Sequence, residues 1–284
     1  MPITIKSERE IELMTEAGRI LGIVHKELEK ALKPGMSTLD IDALGEEVIR
    51  SYGCEPSFLN YNGYPASICV SVNDEIVHGI PSAKHLIKEG DIVSLDAGVI
   101  YKGYHSDAAR THAVGEIRPD LQKLIDVTRE SFFEGIKFAK EGNHLYDISR
   151  AIGDYAESFG YGVVRELCGH GIGTSLHESP EIPNFQMRRR GPKLKAGMTL
   201  AIEPMVNLGT ERIRWMSDNW TVVTADRKES AHYENTILIT KGRTEDPVDC
   251  RWKCITEQRN RKWIDGKQEC LRNLWPVMIK IRYM

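Results

Sequence analysis

Lys88-Glu-Gly-Asp-Ile-Val-Ser-Leu-Asp96 runs on into Ala-Gly-Val-Ile-Tyr-Lys-Gly-Tyr-His-Ser-Asp107, and the reading of this stretch decides the fold. Ile92 to Leu95 is apolar, partly β-branched, and stops on a carboxylate; Ala108 to Val114 resumes after a second one. Between them Tyr101-Lys102-Gly103-Tyr104 carries a glycine turn signal, which predicts an antiparallel hairpin. The turn falls near the midpoint of Asp96 and Asp107, so their carboxylates lie across from each other or on the diagonal, close enough to interact. Like charges at that range repel unless something neutralises them, and a divalent cation is the usual solution. On its own, the stretch would read more plainly as a hairpin with two solvated acids.

Lys195-Ala-Gly-Met-Thr-Leu-Ala-Ile-Glu203 repeats it. Adding 107 takes Lys88 to Lys195, Gly90 to Gly197 and Asp96 to Glu203. The same offset relates Lys33-Pro-Gly35 to Lys140-Glu-Gly142, Leu39-Asp-Ile41 to Tyr146-Asp-Ile148, and Tyr52-Gly53 to Phe159-Gly160. One constant shift over separated stretches, with the acid kept in register, implies an internal duplication whose halves each deliver a carboxylate to a shared centre.

At 284 residues and 41% hydrophobic, the chain has enough apolar material for one large core or two smaller ones. A net charge of −3 gives no electrostatic reason to expect specific nucleic-acid recognition. No apolar run reaches the roughly 18 residues of a membrane span, and the N-terminus lacks the apolar core of a secretory signal. Cys54, Cys69 and Cys168 show no disulfide spacing, so the expectation is a cytoplasmic protein.

Read in order, Ser7 with Glu10 forms a capping box ahead of a helix whose buried stripe is Ile11, Met14, Gly18, Leu21, Val24, Leu28 and Leu32. A second helix runs from a cap at Ser37 or Thr38 to about Tyr52. Phe58 to Pro65 is an aromatic loop, Ser67 to Asp74 alternates as a strand, and Glu75 to Pro81 leads to the hairpin. The second half repeats the plan: helices over 121–140 and 146–159, then strands opening at Val163-Val164 and over 198–202, 220–224 and 230–240. Helices grouped apart from strands predict an α+β fold, paired helices covering a curved antiparallel sheet. A domain over 1–242, with pseudo-repeats of about 1–115 and 116–242, would be followed by an atypical, weakly ordered tail, 243–284. From Lys241 on there are 11 basic and 6 acidic residues, against 27 and 35 before it. Cys250, Cys254 and Cys270 lie there without the second pair that a zinc finger needs.

Asp96, Asp107, Glu203 and Glu234 each sit at or near a strand end or turn, where acids are unexpected unless paired or ligating. His170 lies between Gly169 and Gly171, which lets the backbone pass close to something bound. One imidazole and four carboxylates suit two divalent cations better than one, and the absence of thiolates favours cobalt, manganese, iron or zinc as a reactive rather than structural centre.

Specific stretches then carry a resemblance. Asn73-Asp-Glu-Ile-Val-His78-Gly-Ile-Pro, Gly90-Asp-Ile-Val-Ser-Leu-Asp96, Gly103-Tyr-His-Ser-Asp107, Gly169-His170-Gly-Ile-Gly, Leu176-His177-Glu, Ala201-Ile-Glu203-Pro-Met-Val-Asn and His232-Tyr-Glu234 resemble the methionine aminopeptidases of the short bacterial-type class, across roughly residues 3–241. The resemblance implies a duplicated "pita-bread" α+β fold, in agreement with the repeat. It also implies five metal ligands, Asp96, Asp107, His170, Glu203 and Glu234, with His78 and His177 contacting substrate. In that reading a metal-bridged water attacks the first peptide bond. Glu203 passes the proton to the leaving amine, His177 stabilises the developing oxyanion, and His78 hydrogen-bonds the amide beyond the scissile bond. Positions matching the family's methionine pocket are Phe58, Tyr61, Tyr64, Cys69, Leu176 and Trp220, and tight walls would select a small second residue by sterics. The implied substrates are N-termini of nascent polypeptides, met at the ribosome by a monomeric enzyme.

Two departures stand out. Asn235 follows Glu234 where the family usually has histidine, which bears on hydrogen bonding behind a ligand. The tail from Arg243 has no family counterpart. A non-catalytic binding module on the same fold, or a two-metal peptidase cleaving before proline, would be the competing readings; retention of all five ligands opposes the first and the terminal-methionine pocket the second.

Overall fold

The structure is a computed structural model and describes residues 2–241. The tail and its three cysteines lie outside the described residues.

The first half begins with α1 (Glu8–Ala31) and α2 (Thr38–Ser51), followed by β1 (Glu55–Pro56), β2 (Ile68–Val72), β3 (Glu75–Val77), β4 (Ile92–Tyr101) and β5 (Tyr104–Ala113). The second half begins with α3 (Pro119–Ile136) and α4 (Leu145–Glu157), then β6 (Gly162–Val163), β7 (Gly169–Gly171), β8 (Glu178–Ile182) and β9 (Thr199–Ile202). It closes with β10 (Met205–Asn207), β11 (Ile213–Trp215), β12 (Val222–Thr224), β13 (Ser230–His232) and β14 (Asn235–Leu238). All the strand pairings are antiparallel. The α+β class expected from the sequence holds.

Helix starts follow local chemistry. Ser7 and Glu10 close the predicted capping box on α1. Ser37 and Asp40 close another on α2, and His144 and Asp147 a third on α4, at the position 107 residues later. Pro119 at the first helical position starts α3 two residues before the apolar periodicity does. That helix ends at Ile136 rather than at 140, because Phe138 and Ala139 donate to carbonyls three residues back and tighten the last turn.

β4 and β5 form the predicted hairpin. Lys102 and Gly103 both take positive φ, 49° and 82°, the two-residue geometry that matches strand twist. Along β4, Val93, Leu95, Ala97 and Val99 face a core shared with Leu21, Val24 and Leu28 of α1 and Ile41 and Ile49 of α2. The alternate residues, Asp96 among them, are left for the opposite face. β2 alternates likewise, but both faces are covered: Ile68, Val70 and Val72 join the helical core, and Cys69 joins a separate cluster.

The duplication reappears in the hydrogen bonds. Gly35 N donates to Ile87 O at 2.8 Å, and Gly142 N to Leu194 O at 3.0 Å; the isolated bridges Ser37 with Leu86 and His144 with Lys193 repeat the offset of 107. Beyond β9 the offset becomes 125, as the hairpin of β11 and β12 intervenes: β4 pairs Ser94 with Thr111, and β9 pairs Ala201 with Thr236. The halves meet through these equivalents. Ala109 N donates to Glu234 O at 3.3 Å and Glu234 N to Ala109 O at 3.0 Å. Thr111 Oγ1 accepts from His232 N at 2.8 Å, and Thr236 Oγ1 accepts from Asp107 N at 2.8 Å. A pseudo-twofold axis thus passes between Ala109 and Glu234.

The predicted strand over 230–240 is broken there. β13 pairs with β10 and β14 pairs with β9, so the chain changes partner at Tyr233–Glu234 and delivers Glu234 to the axis.

Candidate metal centre and its apolar pocket

Asp96 and Asp107 lie on the diagonal of the hairpin, since Asp96 pairs with Ala109 and Asp107 with Gly98. Glu203 follows the last residue of β9, His170 is the middle of β7, and Glu234 precedes β14. One ligand atom each from Asp107, His170 and Glu234 lie within 4.8 Å of one another. His170 Nε2 is 3.6 Å from Glu203 Oε1 and 4.0 Å from Asp107 Oδ2. The Asp96 and Asp107 carboxyls lie close enough to shift each other's protonation. All five predicted ligands therefore converge, from strands of both halves.

Asp96, Asp107, His170 and Glu234 are buried, and Glu203 nearly so. Burial, the leading cause, pushes all four carboxyls toward their protonated forms, Asp107 to about 7. The charge of Asp107 adds to the rise at Asp96, Glu203 and Glu234. Two like charges about 4 Å apart repel by about 4 kcal/mol in a protein-like dielectric, so four buried carboxylates need protons or cations. Asp96 Oδ1, Asp107 Oδ1 and Glu234 Oε1 have no hydrogen-bond partner among the described residues. Orphaned buried oxygens with this charge fit divalent cations.

His170 is set up as a neutral donor atom. Its Nδ1 donates to Gly171 O at 2.9 Å, which leaves the Nε2 lone pair facing the acids, and burial holds its pKa down at about 3. Gly169 and Gly171 are needed beside it: a Cβ on either would lie 2.3 or 2.2 Å from a carbonyl oxygen of Ala201 or Ser179. The His177 ring packs against His170 at a tilt of 46°, ring centres 4.2 Å apart, and stacks on Tyr61 at 5.2 Å. Its Nδ1 is 2.8 Å from the Tyr61 hydroxyl. With that hydroxyl donating, the ring carries its proton on Nε2. His78 holds a left-handed backbone, φ 59°, and its ring packs edge-on to Trp220 at 6.3 Å. Such a conformation in a residue with a Cβ marks a locally constrained site.

Phe58, Tyr61, Tyr64, Cys69, Leu176 and Trp220, the six predicted pocket residues, fall in one apolar cluster with Met14, Ile172 and Leu238. It adjoins the acids directly, because Cys69 pairs with Asp96 across β2 and β4 and Tyr61 holds His177. Gly98 lets this wall close, since a Cβ there would lie 2.9 Å from the Phe58 ring. A separate cavity of about 370 Å³ opens between α1, β5 and α3, lined by Glu29, His112 and Arg129 among others; none of the five candidate ligands lines it.

Sequence reasoning missed the groups that hold the centre in place. Arg110 donates to Asn235 Oδ1 and to the carbonyls of Ala109 and Glu234, with Tyr233 stacked 4.3 Å away. Arg110 and Asn235 are themselves equivalents across the axis, and the Asn235 amide oxygen takes up the guanidinium as its acceptor. His232, 3.9 Å from Glu203 Oε2, was also unforeseen beyond its place in a motif.

A family model, metallopeptidase family M24, matches residues 12–241. The chain is 55% identical over 237 residues to a methionine aminopeptidase of Clostridium acetobutylicum, covering 84% of this chain and 95% of the relative. It is 51% identical over 239 residues to methionine aminopeptidase 1 of Bacillus subtilis, covering 84% and 96%. The crystal structure of the Thermotoga maritima methionine aminopeptidase superposes with a TM-score of 0.85 at 42% identity, over 90% of this chain and 100% of that one. The match to the family model takes in every strand that brings an acid to the axis, and on these grounds the chain belongs to metallopeptidase family M24.

Proposed function

We propose that the chain is a metal-dependent aminopeptidase that removes the N-terminal methionine from polypeptides whose second residue is small. The observation that carries the reading is the junction of an acid-rich, histidine-containing centre with an apolar, aromatic cluster, through Cys69 beside Asp96 and Tyr61 on His177.

Asp96, Asp107, His170, Glu203 and Glu234 would hold two divalent cations, with cobalt, manganese, iron or zinc suited to these donors. Cations held there would supply Lewis acidity toward the carbonyl and lower the pKa of a nearby water. The pocket residues Phe58, Tyr61, Tyr64, Cys69, Leu176 and Trp220 take the methionine side chain, whose thioether packs well on aromatic rings. His177, its Nδ1 held by Tyr61, donates Nε2–H to the carbonyl oxygen as negative charge grows on it. His78 hydrogen-bonds the amide beyond the scissile bond, and Glu203 carries a proton to the leaving amine. A bulky second residue is rejected by the walls rather than by a lost attraction.

The substrates on this reading are nascent N-termini emerging from the ribosome in the cytoplasm, and the chain acts as a monomer. The catalytic domain is residues 1–242, with 243–284 an appendage. The test is methionine release from Met-Ala-Ser peptide by the metal-loaded chain, with Asp107→Asn and Glu234→Gln alongside. Both variants should keep the wild-type circular dichroism, bind less metal and release no methionine. A wild-type chain inactive with each of the four metals would sink the reading.

A further inference from the structure

Lys6 sits in the arm ahead of α1, yet its side chain is only 4% exposed. Its Nζ lies 2.8 Å from Glu178 Oε2, on a side chain 9% exposed. Thr4 Oγ1 donates to the same carboxylate oxygen at 2.7 Å, and Lys6 Nζ also donates to Thr4 Oγ1. The arm is fixed in turn, because Lys6 N donates to Gly197 O at 2.8 Å, in the turn ahead of β9.

The other oxygen of Glu178 accepts from Ser175 N at 3.3 Å. Gly173 lies flat on the ion pair: a Cβ there would sit 2.5 Å from both Glu178 Oε1 and Lys6 Cε. Gly173 O accepts from His105 N at 2.8 Å. The short loop 173–177 is therefore held at Gly173, at Ser175 and at Glu178, and His177 is the residue next to that last anchor. A buried ion pair is weak evidence for stability, since desolvation offsets much of its attraction; fixing a register is its better-attested use.

We propose that Lys6 is a positioning residue for His177: by pairing with the largely covered Glu178 it fixes the loop that carries His177 over the metal centre. The inference rests on the aminopeptidase reading of that centre. Without the ammonium, Glu178 keeps its charge in a largely covered site with only Thr4 and Ser175 donating to it, and the loop relaxes to hydrate it. A displacement of about 1 Å in a group aimed at reacting atoms costs about 10²-fold in rate.

The test uses the zinc-loaded full chain with Lys6→Met, Lys6→Arg, and Lys6→Met combined with Glu178→Gln. Turnover and KM on Met-Ala-Ser peptide, bound zinc, melting temperature and the ¹H–¹³C signal of the His177 ring are measured for each. Lys6→Met should lower kcat about 10- to 100-fold, with KM and bound zinc little changed and the His177 signal displaced. Lys6→Arg, which keeps the pair, should recover most of the rate and the native signal. Adding Glu178→Gln removes the stranded charge and should recover part. A Lys6→Met protein with native kcat and an undisplaced His177 signal overturns the proposal. So does a loss that follows bound zinc or melting temperature and is equal in Lys6→Arg. If the wild-type chain releases no methionine, the aminopeptidase reading fails, while the His177 signal still decides whether Lys6 positions that ring.

Discussion

Loading the centre with a divalent cation should expel protons, and the burial of its acids fixes how many. An ordinary aspartate titrates near 3.9 and releases almost nothing when it binds a metal at pH 6. Burial pushes Asp107 up to about 7, so about nine-tenths of it is protonated at pH 6, about half at pH 7 and about a tenth at pH 8. Asp96, Glu203 and Glu234 are raised by the same burial and add to the count, whereas His170, held near 3, is neutral throughout and adds nothing. Zinc binding at pH 6 should therefore release about one proton or more, and apparent affinity should weaken about tenfold, or 1.4 kcal/mol, for each pH unit below 7 and each proton displaced. Isothermal titration in two buffers of different ionisation enthalpy measures the number directly. Release of fewer than about 0.3 protons at pH 6, with affinity flat from pH 6 to 8, would refute the electrostatic account of the centre. The sign for stability follows from the same shifts. The folded, metal-free chain holds these protons more tightly than the unfolded chain, so their contribution is complete below about pH 4 and is lost as pH rises through about 7. Below about pH 6.5 that loss is opposed by buried histidines such as His25, His112 and His232, whose lowered pKa values make stability rise with pH. Above about pH 6.5 the carboxyls act alone, so the metal-free protein should melt at progressively lower temperature from there upward, and saturating metal should abolish that decline.

His177→Ala should lower kcat by about 10²–10³ while leaving KM nearly unchanged, because a donor aimed at the developing oxyanion acts in the transition state; an equal loss in binding would place the ring elsewhere. Asn235→Ala removes the acceptor of Arg110 behind Glu234 and should weaken metal affinity about tenfold, read by titration against a competing chelator. Unchanged affinity would mean that the guanidinium is held well enough by the Ala109 and Glu234 carbonyls alone. A fragment ending at Gly242 should be soluble and should release methionine at the full-length rate, since the described strands, the five ligands and the pocket precede it; an inactive fragment at matched metal loading would make the tail part of the fold.

What the sequence made legible was the local and the repeated. The β4–β5 hairpin was readable because turn chemistry at Lys102-Gly103 and alternation along Ile92 to Leu95 are properties of adjacent residues. The offset of 107 placed Glu203 in register with Asp96, although Asp96 and Asp107 lie within β4 and β5 rather than at strand ends, because the pairing runs on to the turn at Lys102-Gly103. The glycines around His170 flagged a close backbone approach. The strand over 230–240 was read too long because its break has no local cause; it lies where the chain changes partner strand at the axis. Arg110, His232 and the Lys6–Glu178 pair were missed for the same reason, the first and last having partners 125 and 172 residues away and His232 meeting Glu203 only through the folded sheet. Lys6 in an N-terminal arm looks like any solvated lysine until Gly173 and Glu178 close over it.

The axis between Ala109 and Glu234 has a consequence for direction. Asp96 and Glu203 are equivalents, but the equivalent of Asp107 is His232, and that of Glu234 is Ala109. The backbone keeps its twofold relation while the side chains abandon it. A centre with matching donors on both sides would offer a peptide terminus two opposite ways to lie, only one of them with the scissile carbonyl toward His177. By putting a carboxylate against an alanine, and an imidazole against a carboxylate, the chain gives the centre two unlike ends. On the aminopeptidase reading, a substrate that is itself unsymmetrical, a cationic amine at one end and an amide at the other, would then have a single sense of entry, set by side chains that differ across an otherwise doubled backbone.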